Sequence, residues 1–250
     1  MKTTLEVQNL CKSYEDSNVL NDINLKVNEG EFLAIMGQSG SGKSTLLYSI
    51  SGMDRPTSGK VMLYGKDISE VDDDKMSSIR LNKMGFVFQH SYLLKNLSIR
   101  DNIVLPGFKA RTKSREEINR NADRLLAKTG IEGVANHDIK KVSGGQLQRA
   151  AICRALINQP DILFCDEPTG ALNSSTSKEV MDIINTVNSE GTTVIMVTHS
   201  AKVASRADRV IFLMDGKIHD ELILGKYNGE ERRTSERVQK LSEWLEKQGF

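Results

Sequence analysis

The run GQSGSGKST at residues 37–45 follows directly on the apolar stretch FLAIM at 32–36. Gly37, Gly42, Lys43 and Ser44 stand in the spacing G-x-x-x-x-G-K-[ST]. Glycines at those places let the backbone curl until several N–H groups point at one phosphate chain. A helix starting at the lysine adds the positive end of its dipole. The pattern has this meaning only between a strand and a helix. FLAIM reads as the strand, and LLYSI at 46–50 opens the helical pattern. The loop Gly37, Gln38, Ser39, Gly40, Ser41, Gly42, Lys43, Ser44 and Thr45 is therefore the candidate phosphate cradle. Lys43 can reach the outer phosphates, and the Ser44 hydroxyl can ligate Mg²⁺.

Three more apolar runs resemble FLAIM: ILFC at 162–165, VIMV at 194–197 and VIFLM at 210–214. Continuous rather than alternating runs suit strands buried on both faces, as in a parallel sheet covered by helices. Ile23, Leu25 and Val27 alternate with polar residues instead, and NEG then turns the chain. DG at 215–216 predicts a turn into a further short strand. After GFVFQ at 85–89 the character changes. Ser114 and Glu117 form a capping box, and Ile118, Ala122, Leu125 and Leu126 recur at helical spacing up to Gly130. Residues 90–150 thus read as a helical insert in an α/β chain. The charges in KARTKSREE read as a solvated face.

Two adjacent acids, Asp166 and Glu167, end the ILFC run. A carboxylate at the end of a buried strand is the place for an acid that helps hold Mg²⁺. Successive strand side chains point to opposite faces, so Glu167 is expected to project differently. It can then take a proton from an attacking water. Further back, Ser143 and Gln146 form a second capping box, and Gly144 and Gly145 bare the start of that helix. That start is a second anion site without an evident ligand of its own.

The chain has 250 residues, 38% hydrophobic and 27% charged, with a net charge of +1. That balance does not argue for nucleic acid or a basic membrane-binding surface. No apolar run approaches the roughly 20 residues that span a bilayer, and MKTTLEVQNL lacks a signal-peptide core. Cys11, Cys153 and Cys165 stand in no metal-ligand spacing and read as reduced thiols of a cytosolic protein.

With these motifs in this order, the sequence resembles the ATP-binding subunits of ABC transporters over about residues 3–225. Tyr14 matches the aromatic that stacks on adenine, with Val19 nearby, and GQSGSGKST matches the phosphate loop. Gln89 matches the glutamine that touches Mg²⁺ and senses the membrane partner. Ser143, Gly144, Gly145 and Gln146 match the signature that caps the γ-phosphate of the partner subunit in trans. Asp166 and Glu167 match the Mg²⁺-site aspartate and the catalytic glutamate. Ala171, Leu172 and Asn173 match the dimer-contact loop, and His199 the switch histidine. Two positions depart from the family pattern. Val142 stands where the signature begins with leucine, and Asn173 stands where the contact loop carries aspartate.

The resemblance implies a P-loop NTPase fold of the ABC ATPase type, α/β with an antiparallel β subdomain and an inserted helical subdomain. The ATP-binding domain would span 1–228. It implies an ATPase with ATP and Mg²⁺ as cofactors and Ser44, Gln89 and Asp166 around the metal. It implies a head-to-tail homodimer when ATP is bound, a separate transmembrane permease, and attachment through it to the cytoplasmic side of the membrane, with no nucleic acid. IMGQSGSGKSTLLYSISGMDRPTSGKV, DEPTGALNS and the LPG after IRDNI look like the macrolide-exporter and lipoprotein-release branch. Within it they look most like modules resisting bacitracin and lantibiotics, some of which signal to a sensor kinase. The alternative is an ATP-driven regulator that transports nothing.

Beyond these motifs, residues 229–250 form a separate tail. Val238, Leu241 and Leu245 fall at helical spacing with Trp244 beside them, which predicts an amphipathic helix docked on the body of the chain.

Overall fold

The computed structural model describes residues 2–15 and 17–250. In chain order it contains β1 (Thr3–Tyr14), β2 (Ser17–Asn28), β3 (Phe32–Met36), α1 (Lys43–Ile50), β4 (Ser58–Leu63), β5 (Lys66–Asp67), α2 (Asp73–Lys83), β6 (Met84–Phe88), α3 (Ile99–Ala110), α4 (Arg115–Thr129), α5 (Gly144–Leu156), β7 (Ile162–Asp166), α6 (Ser174–Ser189), β8 (Thr193–Val197), α7 (Ala201–Ala204), β9 (Arg209–Met214), β10 (Lys217–Ile223) and α8 (Glu231–Lys247). The chain divides into two compact units, Met1–Met76 with Val187–Phe250, and Ser77–Thr186.

In the first unit, all five residues of β3 are buried. The reason is its position: β3 pairs in parallel with β8 on one side and β9 on the other. A strand with sheet on both edges and cover on both faces has no wet side, so its sequence cannot alternate. β10 closes that edge antiparallel to β9. The link between them is Asp215–Gly216, with φ of 48° and 72°. Two positive φ values are the mark of the tight hairpin turn that a DG pair favours.

A second, antiparallel sheet in the same unit runs in the order β2-β1-β4-β5. Its strand β2 has the alternating burial that Ile23, Leu25 and Val27 predict. Its strand β1 is broken by register shifts on both sides of Leu10, where Asn9 takes a φ of 49°. Those bulges blur the two-residue period, which is why the sequence marks β1 poorly.

The tail helix α8 belongs to this unit too. Leu241 and Leu245 are 0% and 3% exposed. Arg237 donates to the carbonyls of Ser205, Ala207 and Leu224 at 2.6, 2.6 and 2.9 Å. Four of the carbonyls around it, with Gly225 included, thus gather on one guanidinium. Such a fork ties a helix to loop backbone in a way that apolar contact alone cannot.

The second unit holds the parallel pair β6–β7, with Phe86 and Phe164 stacked at 5.5 Å. α3, α4 and α5 pack together beside it. α4 begins with the expected capping box at Ser114 and Glu117 and ends at Gly130 in the left-handed region. Its stripe of Ile118, Ala122, Leu125 and Leu126 is buried. Cys153 of α5 is buried against α4, where it meets Thr129 Oγ1 at 3.2 Å. Burial pushes its thiol up to about 12, so it is a core residue rather than a reactive thiol.

Candidate functional site

The phosphate cradle lies in the first unit. β3 ends at Met36, and Gly37 follows with φ of 151°. A Cβ at Gly37 would sit 2.1 Å from the Leu213 carbonyl oxygen, so only glycine lets the loop leave the sheet there. Gly42 caps α1 at φ 97°, with no side chain bonded to the helix start. A helix start without a side-chain cap is the kind of place where anions bind. Lys43 is only 6% exposed, and its Nζ donates to the Gln38 carbonyl at 2.6 Å, back across the loop. Ser41 is buried, and its Oγ has no hydrogen-bond partner among the described residues. Gln38, Ser39 and Gly40 are exposed, while Ser44 and Thr45 are half-buried. A curled backbone, a folded-back lysine and an orphaned buried hydroxyl fit a chain of phosphates.

The pairing places His199 on the same side. Ile35 of β3 is in register with Val197 of β8. Two residues further on, both strands have ended, one at Gly37 and the other at His199. The carboxyl edge of a parallel sheet is where ligands of such folds bind. Ser200 caps α7 directly after His199, accepting from the Val203 N–H.

Tyr14 is 45% exposed at the end of β1. Its hydroxyl donates to Asp54 Oδ2. The bond to Asp54 raises the phenol above its ordinary value. Burial raises Asp54 as well, but hydrogen bonds from Lys12 and Tyr14, with the Lys12 charge, outweigh it and hold that carboxyl below its usual range. Val19 lies beside the cradle: its carbonyl and side chain stand 3.0 and 3.4 Å from a Cβ at Gly42.

The acids lie in the second unit. Phe88 and Asp166 are in register at the ends of β6 and β7, so Gln89 and Glu167 are the next residues on each. A Cβ at Gly170 would meet Gln89 Nε2 at 3.0 Å and Glu167 Oε2 at 3.3 Å. The amide and the carboxylate thus converge on one spot. Glu167 takes a φ of 47°. This left-handed conformation is rare for a glutamate and redirects its side chain from the strand's alternation. Gln148 of α5, 3% exposed, donates from Nε2 to the carbonyls of Phe88 and Pro168, both at 2.8 Å. It staples the two strand ends together.

The signature helix start is built locally. Ser143 N–H donates to Gln146 Oε1 at 2.8 Å, and Gln146 N–H donates to Ser143 Oγ at 3.3 Å. Ser143 and Gly144 are exposed, and Gly145 is half-buried. A Cβ at Gly145 would lie 2.4 Å from Thr176 Cγ2 on α6. Leu172 comes within 4.0 Å of the corresponding point at Gly144. The signature and the loop of Ala171, Leu172 and Asn173 therefore adjoin. Asn173 Oδ1 accepts the Thr176 N–H at 2.9 Å, so the asparagine caps α6.

Gln148, Lys12 and Asp54 belong to these constellations, yet no sequence motif singles them out. Their partners lie far along the chain, and an isolated polar residue carries no period. Ser44 of the first unit, and Gln89 and Asp166 of the second, each carry a side-chain oxygen of the kind a hard cation takes as ligand. Among the described residues no three His, Cys, Asp or Glu side chains cluster as a metal cage.

The family described as ABC transporter matches residues 20–170. The chain is 45% identical over 218 residues to the macrolide export ATP-binding/permease protein MacB of Campylobacter fetus, covering 86% of this chain and 34% of that one. It therefore spans about a third of the length of that relative. It is 42% identical to the ABC transporter ATP-binding protein YknY of Bacillus subtilis, over 86% of this chain and 94% of the relative. It is 40% identical to the lipoprotein-releasing system ATP-binding protein LolD of Aquifex aeolicus, over 89% and 99%. Among solved structures, the dimeric ATP-binding cassette MJ0796 bound to ADP and Pi superposes with a TM-score of 0.82 at 39% identity, covering 89% of this chain and all of that one. The chain belongs to the ABC transporter family, as one of its ATP-binding, Mg²⁺-dependent ATPase cassettes.

Proposed function

We propose that this cassette hydrolyses ATP at sites shared between two copies of the chain and so drives a separate membrane permease. In this reading the loop 37–45 holds the phosphates and Tyr14, with Val19, the adenine. Ser44, Gln89 and Asp166 hold Mg²⁺, which would neutralise phosphate charge. Glu167 accepts the proton of the attacking water, and His199 contacts the γ-phosphate. Ser143, Gly144, Gly145 and Gln146 cap the γ-phosphate of the partner copy, and Ala171, Leu172 and Asn173 line the contact. The observation that carries the reading is the convergence of Gln89 Nε2 and Glu167 Oε2 beside Gly170 at the ends of β6 and β7. A general base next to a residue that feels the metal is what hydrolysis coupled to a partner needs. The dimeric state of MJ0796 supports the pairing. The near-complete match to YknY and LolD supports a permease on another chain.

The cargo in this reading is an antimicrobial peptide, removed from the membrane or exported, with a sensor kinase reached through the permease. The support is the resemblance of residues 35–61 and 166–174 to such modules. Residues 1–228 would form the ATPase, on the cytoplasmic face of the membrane, and 229–250 an appended helix.

Mixed dimers test the shared site. Lys43→Ala damages the cradle and Ser143→Arg the cap. In a mixed dimer one site keeps both motifs and the other has neither. Activity in the mixture, with little in either variant alone, is the expected result. Turnover that merely adds the two variants' separate activities would sink the shared site. Peptide-stimulated ATPase of the complex reconstituted with its permease tests the cargo.

A further inference from the structure

Lys12 is 8% exposed, an uncommon place for an ammonium. Its Nζ donates to Asp54 Oδ1 at 2.6 Å and to the Arg55 carbonyl at 2.7 Å. The same Nζ stands 4.6 Å from the centre of the Tyr14 ring. Asp54 receives the Tyr14 hydroxyl on its other oxygen, Oδ2. One carboxylate thus holds both the ammonium behind the ring and the hydroxyl at its tip.

Asp54 is itself fixed. The N–H groups of Met53 and Asp54 both donate to the Tyr48 carbonyl of α1, at 3.0 and 3.2 Å. Thr57 joins the same segment to β1, donating from its N–H to the Cys11 carbonyl at 2.9 Å and accepting the Ser13 N–H at 2.9 Å. The helix that starts at the phosphate cradle therefore carries the anchor of the aromatic ring at its far end. An exposed tyrosine has water for its hydroxyl and needs no carboxylate. Satisfying Lys12 takes only one oxygen of Asp54. The second bond holds the ring in a single attitude.

We propose that Asp54, with Lys12, is a positioning residue for the nucleobase, locking Tyr14 with one face against the ammonium and the other turned outward at a set reach from the phosphate cradle. The inference rests on the reading of Tyr14 as the base platform. A ring already held loses no rotamer freedom when a base stacks on it. An ammonium behind it draws electron density from the outer face, which favours an electron-rich purine there.

The test compares Mg-ATP with inorganic tripolyphosphate, which has the phosphates and no base, by calorimetry on the full chain. Asp54→Ala is expected to weaken ATP binding roughly tenfold and leave tripolyphosphate within about twofold of wild type. Asp54→Asn keeps acceptor and shape and is expected to recover part of the loss. In a Tyr14→Ala background, Asp54→Ala should add nothing further, because it acts through the ring. Tyr14→Phe makes the same cut from the exposed side without touching the core. It should lose part of the preference for ATP even if Asp54→Ala fails to fold. Equal weakening of ATP and tripolyphosphate in the Asp54 and Tyr14→Phe variants would overturn the proposal, as would additive losses. Wild-type chain that bound ATP no tighter than tripolyphosphate would instead remove Tyr14 as the platform, and the proposal with it.

Discussion

Trp244 donates from its indole Nε1 to Asp220 Oδ2 at 2.8 Å, and that bond pins α8 to β10. The ring also meets Phe212 edge-on at 6.1 Å. Trp244 is the only tryptophan, so the chain reports its own docking. Its emission is expected to be blue-shifted in the folded protein and to move red on unfolding. Truncation after Asn228 uncovers the seats of Leu241 and Leu245 and is expected to cost roughly 2–4 kcal/mol in a urea melt. A water-like emission from the folded chain would contradict the docked helix.

Glu167→Gln removes the proton acceptor and keeps the shape. With Glu167 as general base, the variant should bind ATP normally and hydrolyse it roughly 10²–10⁴-fold more slowly. Its ATP-bound form should accumulate as a dimer in size-exclusion chromatography. Turnover close to wild type would reassign the base.

Gly145 and Thr176 test how closely the signature helix is seated. Gly145→Ala places a methyl 2.4 Å from Thr176 Cγ2, and the two cannot coexist without movement of α5 or α6. The variant is expected to lose about 1–3 kcal/mol of stability. Thr176→Ser removes the obstructing methyl and should restore most of it in the double variant. Thermal melts of the four proteins decide the matter; no rescue would mean that the clash is not the cause.

Asn173 caps α6 by accepting the Thr176 N–H on Oδ1 at 2.9 Å. Asn173→Ala should lower stability by about 1 kcal/mol. Asn173→Asp keeps the acceptor and adds a charge that suits a helix start, so it should melt at or above wild type. A clear loss with aspartate would show that the side-chain amide has another task.

Features confined to a few consecutive residues were determined by the sequence alone. The spacing of Gly37, Gly42, Lys43 and Ser44 specifies a cradle because backbone curl and helix start are local events. The capping boxes at Ser114 and Ser143 close over three residues, and Asp215–Gly216 fixes a turn over two. Buried strands declare themselves as apolar runs because sheet on both edges excludes polar side chains. The tertiary structure alone decided which distant polar groups meet. Gln148 finds carbonyls 60 and 20 residues away, and Lys12 finds Asp54 42 residues away. Arg237 gathers loop carbonyls that no helical period foretells. Glu167 adopts its left-handed backbone because the chain must turn at the end of β7, not because glutamate favours it. A hydrogen bond between remote groups leaves no pattern along the chain: each partner is an ordinary polar residue until folding removes water from both.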